Sequence, residues 1–79
     1  MGGHIVNEYL VMYQPPNDNK YYPSLHIWPE ILAMLRKNEE VKGRLFVYRF
    51  VEGQPRPLRV IHRCDSYWLE DLYGHYVEG

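Results

Sequence analysis

The chain reads as a small α+β domain: an antiparallel sheet of three to four strands, one main helix packed on one face, and a short C-terminal helix or extension. Three observations predict it. Runs of β-branched and aromatic residues alternate at Ile5–Tyr13, Arg44–Val51 and Leu58–Cys64. One stretch beginning at Trp28 carries its apolar residues at helical spacing. At 79 residues the chain has room for one domain and only a marginal core.

In the first strand, Tyr9, Val11 and Tyr13 fall on one face, and Val6, Leu10 and Met12 on the other. It stops at Pro15-Pro16-Asn17-Asp18-Asn19, a dense run of turn formers. Lys20–Trp28 is rich in β-formers, but Pro23 restricts it to an edge strand or a loop. Pro29 then stands where a helix tolerates a missing N–H. Trp28, Ile31, Leu32 and Leu35 make one apolar stripe over about three turns, with Met34 beside it. Glu30 lies at the positive end of the helix dipole, Arg36 and Lys37 toward the negative end, and Gly43 is the expected stop.

Arg44–Val51 is apolar on both faces, with Leu45, Val47 and Val51 opposed to Phe46, Tyr48 and Phe50, the pattern of a strand covered on both sides. Glu52–Pro57 reads as the turn. In the return strand Leu58, Val60, His62 and Cys64 point inward while Arg59, Ile61 and Arg63 point outward. Asp65 or Ser66 is a plausible N-cap for a short helix carrying Trp68, Leu69, Leu72 and Tyr73 and ending at Gly74. A brief strand at His75–Val77 is possible. Residues 1–4 read as a flexible leader before a domain spanning 5–79. The sixth position is Val6 where a myristoylation signal needs Ser or Thr.

Composition narrows the function. The chain is 46% hydrophobic and 24% charged, as ordinary folded domains are. Nine basic against ten acidic side chains argue against a generic polyanion binder. No run is long and apolar enough for a membrane helix. The lone Cys64 excludes an internal disulfide, and nothing demands an oxidising compartment, so the cytoplasm is expected. Charge is uneven, however. Lys42–Arg63 holds six basic residues and one acidic residue, whereas the stretch after it holds four acidic residues and neither Lys nor Arg. The acidic stretch is expected to pack near the basic hairpin and neutralise it.

Catalytic and metal constellations are weak. His62 and Cys64 with Asp71 and His75 have the chemistry of zinc ligands, but not a spacing that specifies a tetrahedral site. His62 as base beside a Cys64 nucleophile lacks an oxyanion-binding turn ahead of it. Neither metal, cofactor nor catalysis is expected. Lys42–Arg49 partly resembles the first signature of RNA-recognition motifs, matching at Lys42, Gly43, Phe46 and Val47. It departs at Arg44, Leu45 and Arg49, and eight residues identify no family.

What remains is an aromatic excess: eight Tyr, two Trp and two Phe. Tyr, Trp and Arg are the residue types that proteins favour at interfaces. The sequence thus predicts a binding module acting by protein contact, with itself as a homodimer or with another protein. Its contact layer is Tyr9, Tyr13, Phe46, Tyr48 and Phe50, bordered by Arg59, Arg63 and Trp68. Tyr67, Trp68, Tyr73 and Tyr76 are expected to lid that layer or to form a second contact surface. The alternative is single-stranded nucleic acid or nucleotide held by the arginine hairpin and stacked on the same aromatics.

Overall fold

The computed structural model describes residues 7–79, so the predicted leader at 1–4 lies outside the described residues. Six strands and one helix follow in the order β1 (Glu8–Gln14), β2 (Tyr22–Ile27), α1 (Trp28–Val41), β3 (Arg44–Val51), β4 (Gln54–Arg63), β5 (Ser66–Glu70) and β6 (Tyr76–Glu78). The sheet is antiparallel throughout, with strand order β2-β1-β3-β4-β5-β6. The α+β class stands, but the predicted three to four strands become six and the C-terminal helix does not form.

Each correction has a local cause. In the C-terminal segment Tyr67 and Leu69 are buried while the alternating Trp68 and Glu70 are only partly so, a period of two. Leu72 and Tyr73, which suggested the helical stripe, are 59% and 88% exposed in a turn. Asp71 organises that turn by accepting from the N–H groups of Tyr73 and His75, both at 2.9 Å. Cys64 and Asp65 form a two-residue hairpin, not a helix cap, and Cys64 is left-handed at φ 54°. The β3–β4 turn is likewise only Glu52-Gly53, both at positive φ, as a tight hairpin requires. Pro55 and Pro57 had suggested a longer turn, but they lie within β4. Residues 54–58 pair with β3 alone, so a proline there withholds no N–H from a second ladder.

Tyr22–Ile27, left open between loop and edge strand, is an edge strand with Pro23 in it. The helix starts one residue before Pro29, where the Glu30 carboxylate accepts from the Ile27 N–H at 3.1 Å. Its left-handed cap is Lys42 at φ 61° rather than Gly43. Glycine is needed at 43 for a different reason: a Cβ there would stand 2.6 Å from the Gln14 carbonyl oxygen and 2.7 Å from the Tyr13 hydroxyl. The Asn38 side chain secures this crossover by bonding both the N–H and the carbonyl of Gly43.

The core lies between α1 and one face of the sheet. Ile31 and Leu35 pack against Tyr9, Val11, Val47, Leu58, Tyr67 and Leu69. Burying such side chains is worth about 1.5–3 kcal/mol each. The sheet curls around this core. In a flat sheet β1 and β6 would be about 19 Å apart, four strand spacings, beyond the combined reach of a tyrosine and a glutamate. Yet the Tyr9 hydroxyl donates to the Glu78 carboxylate, joining those two strands. The Tyr67 hydroxyl likewise donates to Glu39, tying β5 to the helix. The sheet therefore has a concave inner face that grips α1 and a convex outer face that no element among the described residues covers.

Candidate protein-binding face

Strand register decides which side chains meet. On β1, Tyr9 and Val11 face the helix, so Leu10 and Met12 face out. They pair with Tyr48 and Phe46 of β3, while Val11 pairs with Val47 in the core. Leu25 and Pro23 of β2 stand on the other side of Leu10 and Met12, and Pro57 and Pro55 of β4 beside Tyr48 and Phe50. The outer face is thus apolar across four adjacent strands. Phe46, Phe50 and Leu25 are 43%, 48% and 53% exposed. Tyr21 packs on Phe46 with ring centroids 5.9 Å apart, and with Met12 and Tyr48 the two rings frame a shallow depression of about 300 Å³.

The predicted contact layer is split by the sheet. Phe46, Tyr48 and Phe50 share the outer phase with Arg59, Arg63 and Trp68, so six of the eight predicted residues stand on one face. Tyr9 and Tyr13 do not. Tyr9 is buried beneath the sheet, and Tyr13 lines an apolar cleft of about 350 Å³ between β1, β3 and the end of α1, with Met34, Val41 and Leu45. The aromatics of β1 and β3 had been joined because both strands carry an every-second-residue set. Only the register Leu10–Tyr48 shows that those sets point in opposite directions.

Residues that the sequence reading missed are Leu10, Met12, Tyr21 and Leu25. The alternation of β1 already separated Leu10 and Met12 from Tyr9, but gave no reason to pair them with Tyr48. The C-terminal aromatics also change role. Tyr67 is core and stacks on His62 with centroids 4.1 Å apart, while β5 and β6 extend the sheet instead of lidding it. β3, expected to be covered on both sides, is covered on one among the described residues.

Charges on the two faces are handled differently. Inside, Arg49 lies 3.9 Å from Asp71, which also holds the His75 ring at 3.2 Å. The N–H groups of His75 and Tyr73 keep the Asp71 carboxyl below its ordinary range. Burial and the bond to Glu78 raise the Tyr9 phenol well above the usual tyrosine value. The bond to Glu39, with burial second, pushes Tyr67 up to about 12. Outside, Arg44, Arg59 and Arg63 are exposed, and none has an ion-pair partner among the described residues. Glu70 pairs with Arg59 in the ladder, but its carboxylate accepts from the Trp68 indole at 2.7 Å. The expected neutralisation of the hairpin by the acidic stretch therefore reaches Arg49 only.

Among the described residues no group of three or more His, Cys, Asp or Glu side chains is arranged to hold a metal ion. Cys64 is an exposed free thiol, and no described helix is long and apolar enough to cross a membrane. The chain matches no protein-family profile, and no curated protein or solved structure shows significant similarity to it.

Proposed function

We propose that this protein is a non-catalytic binding module that acts by protein–protein contact through the outer face of its sheet, by associating with itself or by modulating a partner. One observation carries the reading. The one helix among the described residues packs on the inner face, and none of the described elements covers the contiguous Leu10, Met12, Leu25, Phe46, Tyr48 and Phe50. A continuous apolar patch rimmed by charged residues is the surface form that binding sites take. An exposed free thiol suits a reducing cytoplasm.

Light scattering of the wild type across micromolar concentrations, together with the stabilities of Tyr48→Ala and Phe50→Ala, tests the reading. Expected are a mass increase with concentration, or capture by a partner, and small stability losses. A monomer at high micromolar concentration whose Tyr48→Ala and Phe50→Ala variants lose as much stability as core truncations would overturn it. A second reading rests on Arg44, Arg59 and Arg63, which share the outer phase with the aromatics. Single-stranded nucleic acid would stack on the rings and place phosphates on these guanidinium groups. It predicts affinity that falls steeply with salt and is lost in Arg59→Ala or Arg63→Ala. The absence of any shift with single-stranded RNA or DNA at low salt would dispose of it.

A further inference from the structure

We infer that the occupant of the outer face is a second copy of this chain, seated face to face across a two-fold axis that runs perpendicular to the strands and crosses β3 between Phe46 and Tyr48. The inference rests on the reading of the outer face as a contact surface and adds its partner and orientation.

Charge on the face is polarised along the strands. At one end stand Arg44 and Arg63, with Arg59 toward that end, and all three are exposed. They outnumber the carboxylates there, Asp65 in the β4–β5 hairpin and Glu70, which is held by the Trp68 indole. At the other end Glu8 pairs with Ile27, and the β3–β4 hairpin carries exposed Glu52. Between them lies the apolar field of Leu10, Met12, Phe46, Tyr48 and Leu25. With the strands of the two copies aligned, two arrangements bring such faces together along their central strands with two-fold symmetry. An axis parallel to the strands sets arginine end on arginine end, and like charges across an interface are costly. An axis perpendicular to the strands sets the arginine end of each copy on the glutamate end of the other.

The register fixes what then meets. Tyr48 and Leu10 are level on adjacent strands, and so are Phe46 and Met12, and Arg44 and Gln14. Rotation by 180° about the proposed axis places Tyr48 over the second copy's Phe46 and Leu10 over its Met12. Phe50 lies over its Arg44, a cation–π pairing. Glu8 comes over its Gln14, next to its Arg44. Both symmetry-related halves repeat these contacts. Across four strands about 4.8 Å apart and six residues of about 3.4 Å, the face covers on the order of 400 Å² in projection. Two such faces bury about 800 Å² in total, short of the roughly 1,200 Å² of standard interfaces, as expected for a weak, reversible dimer.

Sedimentation equilibrium of the full chain, with circular dichroism to confirm folding, tests this. Wild type is expected to dimerise with concentration, more weakly as salt rises. Arg44→Glu and Glu8→Arg each raise the dimer dissociation constant roughly three- to tenfold. Because these groups are diagonal neighbours between copies, one strand apart, the double variant Glu8→Arg/Arg44→Glu restores the opposite-charge pair and recovers wild-type association. A dimer in which the two losses add without recovery overturns the orientation and leaves the contact-face reading in place. A wild type that stays monomeric at high micromolar concentration overturns the self-partner outright. The contact-face reading then stands or falls on the separate stability measurement of Phe50→Ala. Retardation of single-stranded RNA that vanishes in Arg44→Glu, with no dimer present, overturns it in favour of nucleic acid.

Discussion

The two faces of one sheet divide the aromatic residues of this chain into a buried set and an exposed set. The inner face holds Tyr9 and Tyr67, both nearly fully buried, with each hydroxyl on a carboxylate that closes the structure. The outer face holds Phe46, Tyr48 and Phe50, whose rings meet no second layer among the described residues. Of two adjacent residues on a single strand, Val47 is thus buried and Phe46 exposed. In a domain with one helix the core can be built on one side only, so apolar area on the other side contributes little to folding. The largest contrast between the faces should appear on truncation. Leu69→Ala removes a fully buried side chain beneath the helix and is expected to cost about 2–5 kcal/mol in denaturant unfolding. A loss below that range would mean the inner face is not the core.

The crossover between the helix and β3 belongs to the inner side through packing rather than apolar area. Gly43→Ala puts a methyl group against the Gln14 carbonyl, a backbone atom that cannot swing away. The expected cost is about 1–3 kcal/mol, read as a lowered unfolding midpoint. Since Gly43 does not have positive φ, the cost measures contact and not backbone strain. A neutral Gly43→Ala would show that β1 and the helix end separate easily.

Next in size are the phenol–carboxylate closures. Tyr67→Phe keeps the packing against Leu69 and His62 but deletes the bond to Glu39, for about 1 kcal/mol at neutral pH. The pH dependence carries a sign. A phenol raised to about 12 in the folded protein, against an ordinary 10, contributes stability that is fully present below pH 10. That contribution disappears as pH rises through 12. Wild-type stability should therefore fall across pH 10–12, and the fall should flatten in Tyr67→Phe. Identical alkaline profiles would remove the closure from the account.

Much of this division was legible in the sequence, and the failures share a cause. The helix was marked by Pro29 and the stripe Ile31, Leu32 and Leu35, because local spacing alone specifies a helix face. The strands β1, β3 and the later half of β4 were legible from alternation. Trp68-Leu69 and Leu72-Tyr73 imitate helical spacing as well as they alternate, and only burial of Tyr67 and Leu69 separates the two patterns. Pro55 and Pro57 hid the first half of β4, since a proline's tolerance depends on whether a second neighbour pairs there. The contact layer failed at register. Alternation assigns two faces to each strand but does not say which face of β1 matches which face of β3. Six of the eight proposed contact residues share a face because β3, β4 and β5 are joined by two-residue hairpins, whose length fixes register locally. β1 is separated from β3 by an edge strand and the helix, and its two tyrosines were placed on the wrong side.

The smallest expected effect is the sharpest test of the division. Phe50→Thr replaces a half-exposed ring on the outer face with a β-branched residue that suits a strand. If the outer face does no folding work, unfolding free energy should change by less than about 0.5 kcal/mol. Threonine matters here, because alanine would add a loss of strand propensity and blur a near-zero result. The neighbours support the same expectation: Phe50 pairs with Pro55 on an edge segment, not with a buried side chain. A loss approaching that of Leu69→Ala would mean that the ring packs into the core after all. Solubility should move in the opposite sense to a core mutation, with Phe50→Thr aggregating less than wild type at high concentration because it breaks up the exposed apolar field. A near-zero stability change with reduced association would separate the two faces by experiment: one surface holds the chain together, and the other meets something else.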